Sequence, residues 1–272
     1  MPSRPGLRET LRVEPGRRVR LGRIDPGATH GYREARARER AANDLARLQT
    51  LQEMLYAERR RRILIVLQGI DTSGKDGAIK HLTRALHALG TRVASFGVPT
   101  EPELAHDYLW RIHAQVPANG QIVIFNRSHY ESVLVERVHE LVPKERWSRR
   151  YDQINEFERL LTEEGTTIIK CFLHIDEHEQ LERLRARYED PTKRWKFNVG
   201  DLEERKRWDA YRKAFEDALT RCSTAAAPWY VIPANHKWFR DLAIGEIVAD
   251  TLTGLGLAYP AREDLPKGLV IS

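Results

Sequence analysis

The chain is poor in cysteine and in long apolar runs. Only Cys171 and Cys222 occur among its 272 residues, far apart and without a C-x-x-C pair. Neither a disulfide framework nor a thiolate zinc site is supported. Cys171 falls within an apolar strand pattern, which predicts a buried free thiol. The longest unbroken aliphatic stretch runs from Ile63 to Leu67, far below the roughly 20 residues a membrane-spanning helix needs. The amino terminus, Met1-Pro-Ser-Arg-Pro-Gly, lacks the apolar core of a secretory signal. A soluble cytoplasmic protein with no membrane partner is therefore expected. No internal repeat is present. His106, His113 and His129 lack metal-ligand spacing and read as packing or hydrogen-bonding residues. No G-x-S-x-G surrounds Ser128, and adjacent residues at a helix start do not face each other, so a hydrolase built on Ser128-His129 is set aside.

Charge and size point elsewhere. Lys and Arg number 45 against 39 Asp and Glu, a net charge of +6. That balance favours polyanionic partners without choosing among nucleic acid, nucleotide and inorganic phosphate chains. The length suits one large α/β domain whose core needs no disulfide or structural metal. Residues 1–30, rich in Arg, Pro and Gly, read as an irregular surface arm; 31–256 read as a single domain and 257–272 as a tail. Leu45, Leu48, Leu51, Met54 and Leu55 recur at helical spacing and predict one long helix over 31–62, with Arg59 to Arg62 as its solvated end.

Apolar, β-branched segments at Ile63–Gln68, Arg92–Phe96, Gln121–Phe125, Thr166–His174 and Trp229–Ile232 read as strands. Helical patterns lie between them, near 77–89, 102–115, 130–140, 144–164, 177–188, 201–221 and 236–255. This alternation predicts an α/β fold: a parallel sheet of about five strands with helices on both faces. Ligands of such sheets bind beyond the carboxyl ends of the strands, so the loops after Gln68, Phe96, Phe125 and His174 should converge.

The first of those loops carries the strongest signal. Gly69-Ile-Asp-Thr-Ser-Gly-Lys-Asp-Gly follows a strand and opens a helix. Gly69 and Gly74 allow backbone N–H groups to turn toward an anion, Lys75 supplies a point charge, and the helix aims its positive end at the phosphate. Two features are unusual. Asp76 stands where a Ser or Thr commonly gives its hydroxyl to magnesium, and a second carboxylate, Asp71, sits inside the loop. A carboxylate beside a polyanion is tolerable when a divalent cation bridges the two, or when it orients or deprotonates an acceptor.

Further along, Phe125-Asn-Arg-Ser-His-Tyr-Glu follows the third strand. Asn126 is neutral where such enzymes usually offer an acid, the nearest carboxylate is Glu131, and the planar fork of Arg127 suits phosphate oxygens. A basic stretch containing Lys193, Arg194, Trp195 and Lys196, broken by Pro191 and Gly200, reads as a lid over about 183–210 that closes positive charge over a phosphate chain.

Taken with Leu109-Trp-Arg-Ile-His, Lys193-Arg-Trp-Lys-Phe, Asp201-Leu-Glu-Glu-Arg and Ala227-Pro-Trp-Tyr-Val-Ile-Pro-Ala, these motifs resemble the polyphosphate kinase 2 family over roughly residues 60–240. The form around Arg127 is most like the subgroup using both nucleoside mono- and diphosphates. The resemblance implies a P-loop kinase-like three-layer sandwich with a helical lid. It also implies magnesium- or manganese-dependent, reversible transfer between inorganic polyphosphate and AMP, ADP or related nucleotides, by a homo-oligomer, expected to be a tetramer, with no nucleic-acid partner. Asp71, Lys75, Arg127 and Glu131 would be catalytic, with Asp71 and Glu131 toward the metal. Gly69, Thr72, Ser73, Gly74, Lys75, Asp76 and Gly77, with Arg111, Arg127, Lys193, Arg194 and Lys196, would bind phosphate and nucleotide. The subgroup commonly has Asp after that Glu, where this chain has Ser132. The alternatives are an ATP-dependent nucleotide kinase and a noncatalytic polyanion- or nucleic-acid-binding protein.

Overall fold

A computed structural model describes residues 5–261; residues 1–4 of the expected arm and 262–272 of the expected tail lie outside the described residues. Five strands, β1 (Arg62–Gln68), β2 (Thr91–Ser95), β3 (Ile122–Asn126), β4 (Thr166–His174) and β5 (Trp229–Pro233), form one sheet in the order β2-β3-β1-β4-β5. Every neighbouring pair is parallel. β1 is central, which is why its sequence is an unbroken aliphatic run: both of its faces are covered. Ile63, Ile65 and Leu67 belong to one core with the helices Glu34–Glu58, Lys75–Leu82 and Lys237–Gly254. Leu64 and Val66 belong to the other, with Arg150–Glu163 and Trp208–Arg221. The expected three-layer α/β arrangement is present.

Several expected helices are shorter or divided. The first ends at Glu58, because Arg59 turns left-handed (φ 51°) and Arg62 already belongs to β1. The pattern at 102–115 divides into Glu101–Leu104 and Trp110–His113; between them the Leu109 amide is captured by the Asp107 carboxylate at 2.9 Å. The 130–140 pattern becomes a 3-10 turn, His129–Ser132, and one helical turn, Val135–Val138. Breaks at Ser148 and Arg207 divide 144–164 and 201–221. A break of a few residues barely disturbs apolar periodicity, so the pattern reads straight through it.

Residues 5–30 are less loose than their composition suggests. Leu7–Thr10 forms a helical turn, and Leu7, Leu11, Val13, Val19 and Leu21 are buried. Leu11 and Val13 flank an antiparallel bridge between Arg12 and Tyr230. The Val13 amide donates to Trp229 O (2.8 Å) and the Val231 amide to Leu11 O (3.0 Å). The arm thus covers the β5 edge, whose unpaired backbone groups would otherwise template association. Among the described residues no helix is long and apolar enough to cross a membrane. Both cysteines are free and buried, and burial pushes both thiols up to about 12.

Candidate active site

The loop after β1 needs glycine for steric reasons. A Cβ on Gly69 would stand 2.8 Å from the Leu173 carbonyl oxygen and 2.6 Å from Ser73 Oγ, so β4 and the returning loop leave no room for one. Gly74 is left-handed (φ 105°), and a Cβ there would run into the Arg240 guanidinium. Thr72 (φ 67°) and Arg127 (φ 64°) are also left-handed without being glycine, and strain of this kind gathers where a site over-determines its backbone. The helix Lys75–Leu82 starts immediately behind Gly74. Among the described residues the amides of Gly74, Lys75, Asp76 and Gly77 meet no acceptor within the protein, as expected of a helix's first turn, and they form an anion cradle.

Lys75 is buried, 8% exposed, with Nζ donating to Gly69 O at 2.6 Å and Ile70 O at 3.3 Å. Burial first, and then the neighbouring Arg127, lower its pKa to about 8. Arg127 donates from Nη2 to Asp71 at 2.6 Å and from Nη1 to Glu131 at 3.1 Å. The two carboxylates expected to act on metal and acceptor are therefore held by one guanidinium. Asp76 accepts from Lys196 at 3.1 Å and from the Asn126 amide at 3.2 Å. Burial works to raise the Asp76 carboxyl, but Lys196 and Asn126 outweigh it and hold the group below its ordinary value. The neutral Asn126 at the strand end thus orients an acid supplied by the loop.

These groups border a cavity of about 750 Å³. Its walls carry eight cations, Lys75, Arg127, Arg183, Arg187, Lys193, Lys196, Lys237 and Arg240, against four acids, Asp71, Asp76, Glu179 and Glu182. Thr72 and Gly77 border it too, whereas Gly69 and Ser73 lie beneath the loop. Lys193 and Lys196 come from the exposed segment between the helices Glu177–Glu189 and Gly200–Arg205. Within that segment Trp195 is 78% exposed, while Phe197 packs against Tyr188 with ring centroids 5.3 Å apart.

Two expected binding residues stand elsewhere. Arg111 donates to Gly97 O (3.1 Å) and Glu103 (3.4 Å) and lines a second cleft of about 580 Å³, of which Glu131 is also a wall. Arg194 turns away from the basic cavity, donating to Tyr188 O at 3.0 Å. Sequence reasoning missed Arg183, Arg187, Lys237 and Arg240. Arg183 donates to Thr72 O and Ser73 O, both at 2.9 Å, and to Ala234 O, fastening the loop to the end of β5. The four-residue spacing of Arg183 and Arg187 on one helix was an available signal. Nothing local marks Arg240.

Ser132 is buried and donates to His129 O at 2.7 Å. His129 pairs with Glu158 at 3.1 Å, and His106 stacks on Trp110 at 4.2 Å, in keeping with packing and hydrogen-bonding roles. Among the described residues no group of three or more His, Cys, Asp or Glu is placed to hold a metal. Behind the Arg127 segment lies a closed charged network. Lys170 on β4 contacts Glu158, Tyr130 Oη (2.9 Å) and Cys222 O (2.6 Å), and Tyr130 Oη also donates to Glu158 at 2.9 Å.

The profile described as polyphosphate kinase 2 matches residues 32–255. The chain is 52% identical over 262 residues to the AMP/ADP-polyphosphate phosphotransferase of Meiothermus ruber, covering 96% of this chain and 98% of that protein. It is 39% identical over 264 residues to the ADP-polyphosphate phosphotransferase of Rhodopseudomonas palustris, covering 92% and 91%. Its fold superposes on the crystal structure of polyphosphate kinase 2 from Arthrobacter aurescens TC1 with a TM-score of 0.92 at 43% identity, over 95% of this chain and 93% of that one. A family match across the whole sheet and its phosphate loop, with relatives this similar over nearly their full length, establishes that the chain belongs to the polyphosphate kinase 2 family.

Proposed function

We propose that the chain transfers the terminal phosphate of inorganic polyphosphate to AMP, ADP or a related nucleotide, reversibly, with Asp71, Lys75, Arg127 and Glu131 at the reacting groups. One observation carries the reading: eight cations gather around a phosphate loop whose own acids are countered by Arg127 and Lys196. Phosphoryl transfer passes through a loose transition state with charge spread over equatorial oxygens, so alignment and fixed positive charge do most of the catalysis.

The donor chain lies in the basic cavity. Lys75 and the first-turn amides hold the phosphate being transferred, and Lys193 and Lys196 close over the chain and exclude water. The acceptor enters beside Glu131 and Arg111, which border the second cleft. Asp71 orients its phosphate, and Arg127, between Asp71 and Glu131, supplies charge to the oxygens that develop it. Donor and product bonds are both phosphoanhydrides, which makes the reaction reversible.

Asp71 and Glu131 fit a divalent ion of the magnesium or manganese type, because magnesium is usually held by one or two carboxylates together with substrate phosphates rather than by an all-protein cage. Such an ion, when bound, neutralises charge on the phosphate oxygens. A cytoplasmic homotetramer is the assembly in keeping with this reading.

Incubation with AMP or ADP, magnesium and polyphosphate, without ATP, tests the donor; absence of nucleotide product rejects the reaction. Lys75→Ala and Asp71→Asn should each lower turnover by on the order of 10² to 10³ while the fold is retained. Near-full activity in either variant refutes the assigned role.

A further inference from the structure

We propose that the amino-terminal arm carries a second phosphate-chain site, a docking groove that holds the distal part of a long polyphosphate donor; the proposal rests on the donor assignment above. A groove of about 550 Å³ lies between the arm and β5, floored by Val231 and Pro233 and walled by Arg12, Arg17, Arg18, Arg20 and Arg23. No acidic side chain lines it among the described residues. Among the described residues none of these arginines has an ion-pair partner. Arg12 Nε is buried with no acceptor. A guanidinium N–H left this way is costly unless an anion completes it.

The arm holds these charges on a rigid frame. Buried Leu11 and Val13 flank the half-buried Arg12, and buried Val19 and Leu21 flank Arg20, so the alternation turns the aliphatic residues inward and leaves Arg20, like Arg17, Arg18 and Arg23, exposed. The Val19 and Leu21 amides are tied to Thr220 Oγ1 (3.0 Å) and Glu216 (2.7 Å) on the helix Trp208–Arg221. Self-repulsion among five like charges is tolerable on a frame fixed by burial, and the planar forks match phosphate oxygens.

The position suits a substrate that is a chain. Ile24 ends the groove, and its carbonyl hydrogen-bonds His174 Nε2 at 3.0 Å, at the carboxyl end of β4. β5 and β1 are separated only by β4, a strand-to-strand separation of about 10 Å, so groove and phosphate loop lie toward the same part of the sheet. A short oligophosphate fills the catalytic cavity alone, whereas a long one can engage both sites, and the second contact acts at high effective concentration. The lining favours polyphosphate over single-stranded nucleic acid: among the described residues it contains no Phe, Tyr or Trp, and strand-binding grooves combine positive charge with aromatic stacking platforms.

The test compares the unsubstituted protein with the triple variant Arg17→Gln, Arg18→Gln, Arg20→Gln, all at exposed positions, using long-chain and short-chain sodium polyphosphate. The KM for the long chain should rise on the order of tenfold and lose part of its salt dependence. Its kcat, and both constants with the short chain, should stay unchanged. An unchanged long-chain KM, or an equal rise for both donors, overturns the groove. So does tighter binding of a single-stranded oligonucleotide than of polyphosphate through the same arginines. Should the unsubstituted protein show no turnover with either donor, the donor assignment fails. Direct binding of fluorescent long-chain polyphosphate to the two proteins then still decides the groove.

Discussion

Replacing Lys170 by Met removes the cation from the closed network behind the Arg127 segment. Lys170 and Glu158 are 0% and 1% exposed, so the carboxylate left behind cannot recover its charge balance from water. Three contacts disappear together, to Glu158, Tyr130 Oη and Cys222 O. Removing one partner of a buried pair typically costs about 3–5 kcal/mol, a large part of the roughly 5–15 kcal/mol of a whole domain. His129 stays 3.1 Å from Glu158 and keeps one hydrogen bond to the carboxylate, which favours the lower end of that range. Adding Glu158→Gln should restore much of the loss, because the amide oxygen still accepts from His129 and Tyr130 and no buried charge remains.

The pH dependence has a definite sign. Burial works to raise the Glu158 carboxyl, but Lys170 and His129 overcome it and leave the pKa depressed. A depressed carboxyl contributes stability above its unfolded value, about 4.3, and loses it as pH falls through the folded value. Without Lys170 burial wins and the group takes its proton at higher pH. The deficit of Lys170→Met is then largest near neutrality and shrinks on acidification. Urea unfolding of the single and double variants at several pH values measures this directly. A deficit below about 1 kcal/mol near neutrality, or one that the second substitution deepens, would refute the argument; the first is no more than an exposed pair is worth.

Three further outcomes follow from the site. With the Lys75 pKa lowered to about 8, kcat/KM should fall as pH rises above that value and the ammonium is lost, while the limb in kcat lies higher because bound phosphate favours the charged form; Lys75→Arg should abolish the limb, and a profile flat to higher pH in the parent contradicts the assignment. The same shift makes the group's contribution to stability increase with pH from about 8 to its ordinary value near 10.4, since the unfolded chain binds the proton more tightly. Gly69→Ala forces a Cβ against Leu173 O and should cost about 1–3 kcal/mol by overpacking, with turnover falling further than melting temperature suggests; a variant of parental stability and rate would show that the loop yields freely. Lys196→Ala, losing a half-exposed contact to Asp76, should leave stability within about 0.5 kcal/mol yet raise KM for the polyphosphate donor, and an unchanged KM would remove Lys196 from the lid.

Much of this arrangement was legible locally. Ile63 to Leu67 announced a strand covered on both faces, and the glycine-bounded turn before Lys75 announced an anion cradle, because backbone conformation and a single helix start create it. Arg127 and Asp71 could be picked out separately, but not the ion pair between them, since 56 residues of sequence separate them. The segments around Asp107 and Arg207 interrupt helical patterns that periodicity carried through. Leu11, Val13, Val19 and Leu21 were hidden in an Arg- and Pro-rich stretch whose alternations are too brief to show a period.

The sequence by itself determined the strand-loop-helix unit and the two unusual aspartates, which depend on neighbouring residues, and the excess of positive charge, which is a sum over the chain. Only the tertiary structure decided where that charge gathers. Arg183 fastens the loop to the end of β5, Arg240 presses on Gly74 from the last helix, and Arg111 stands in a neighbouring cleft rather than the basic cavity. The physical reason is the parallel strand order: it brings the carboxyl ends of β1, β3, β4 and β5 to one side of the sheet, so side chains from distant segments meet there at distances that no spacing along the chain encodes.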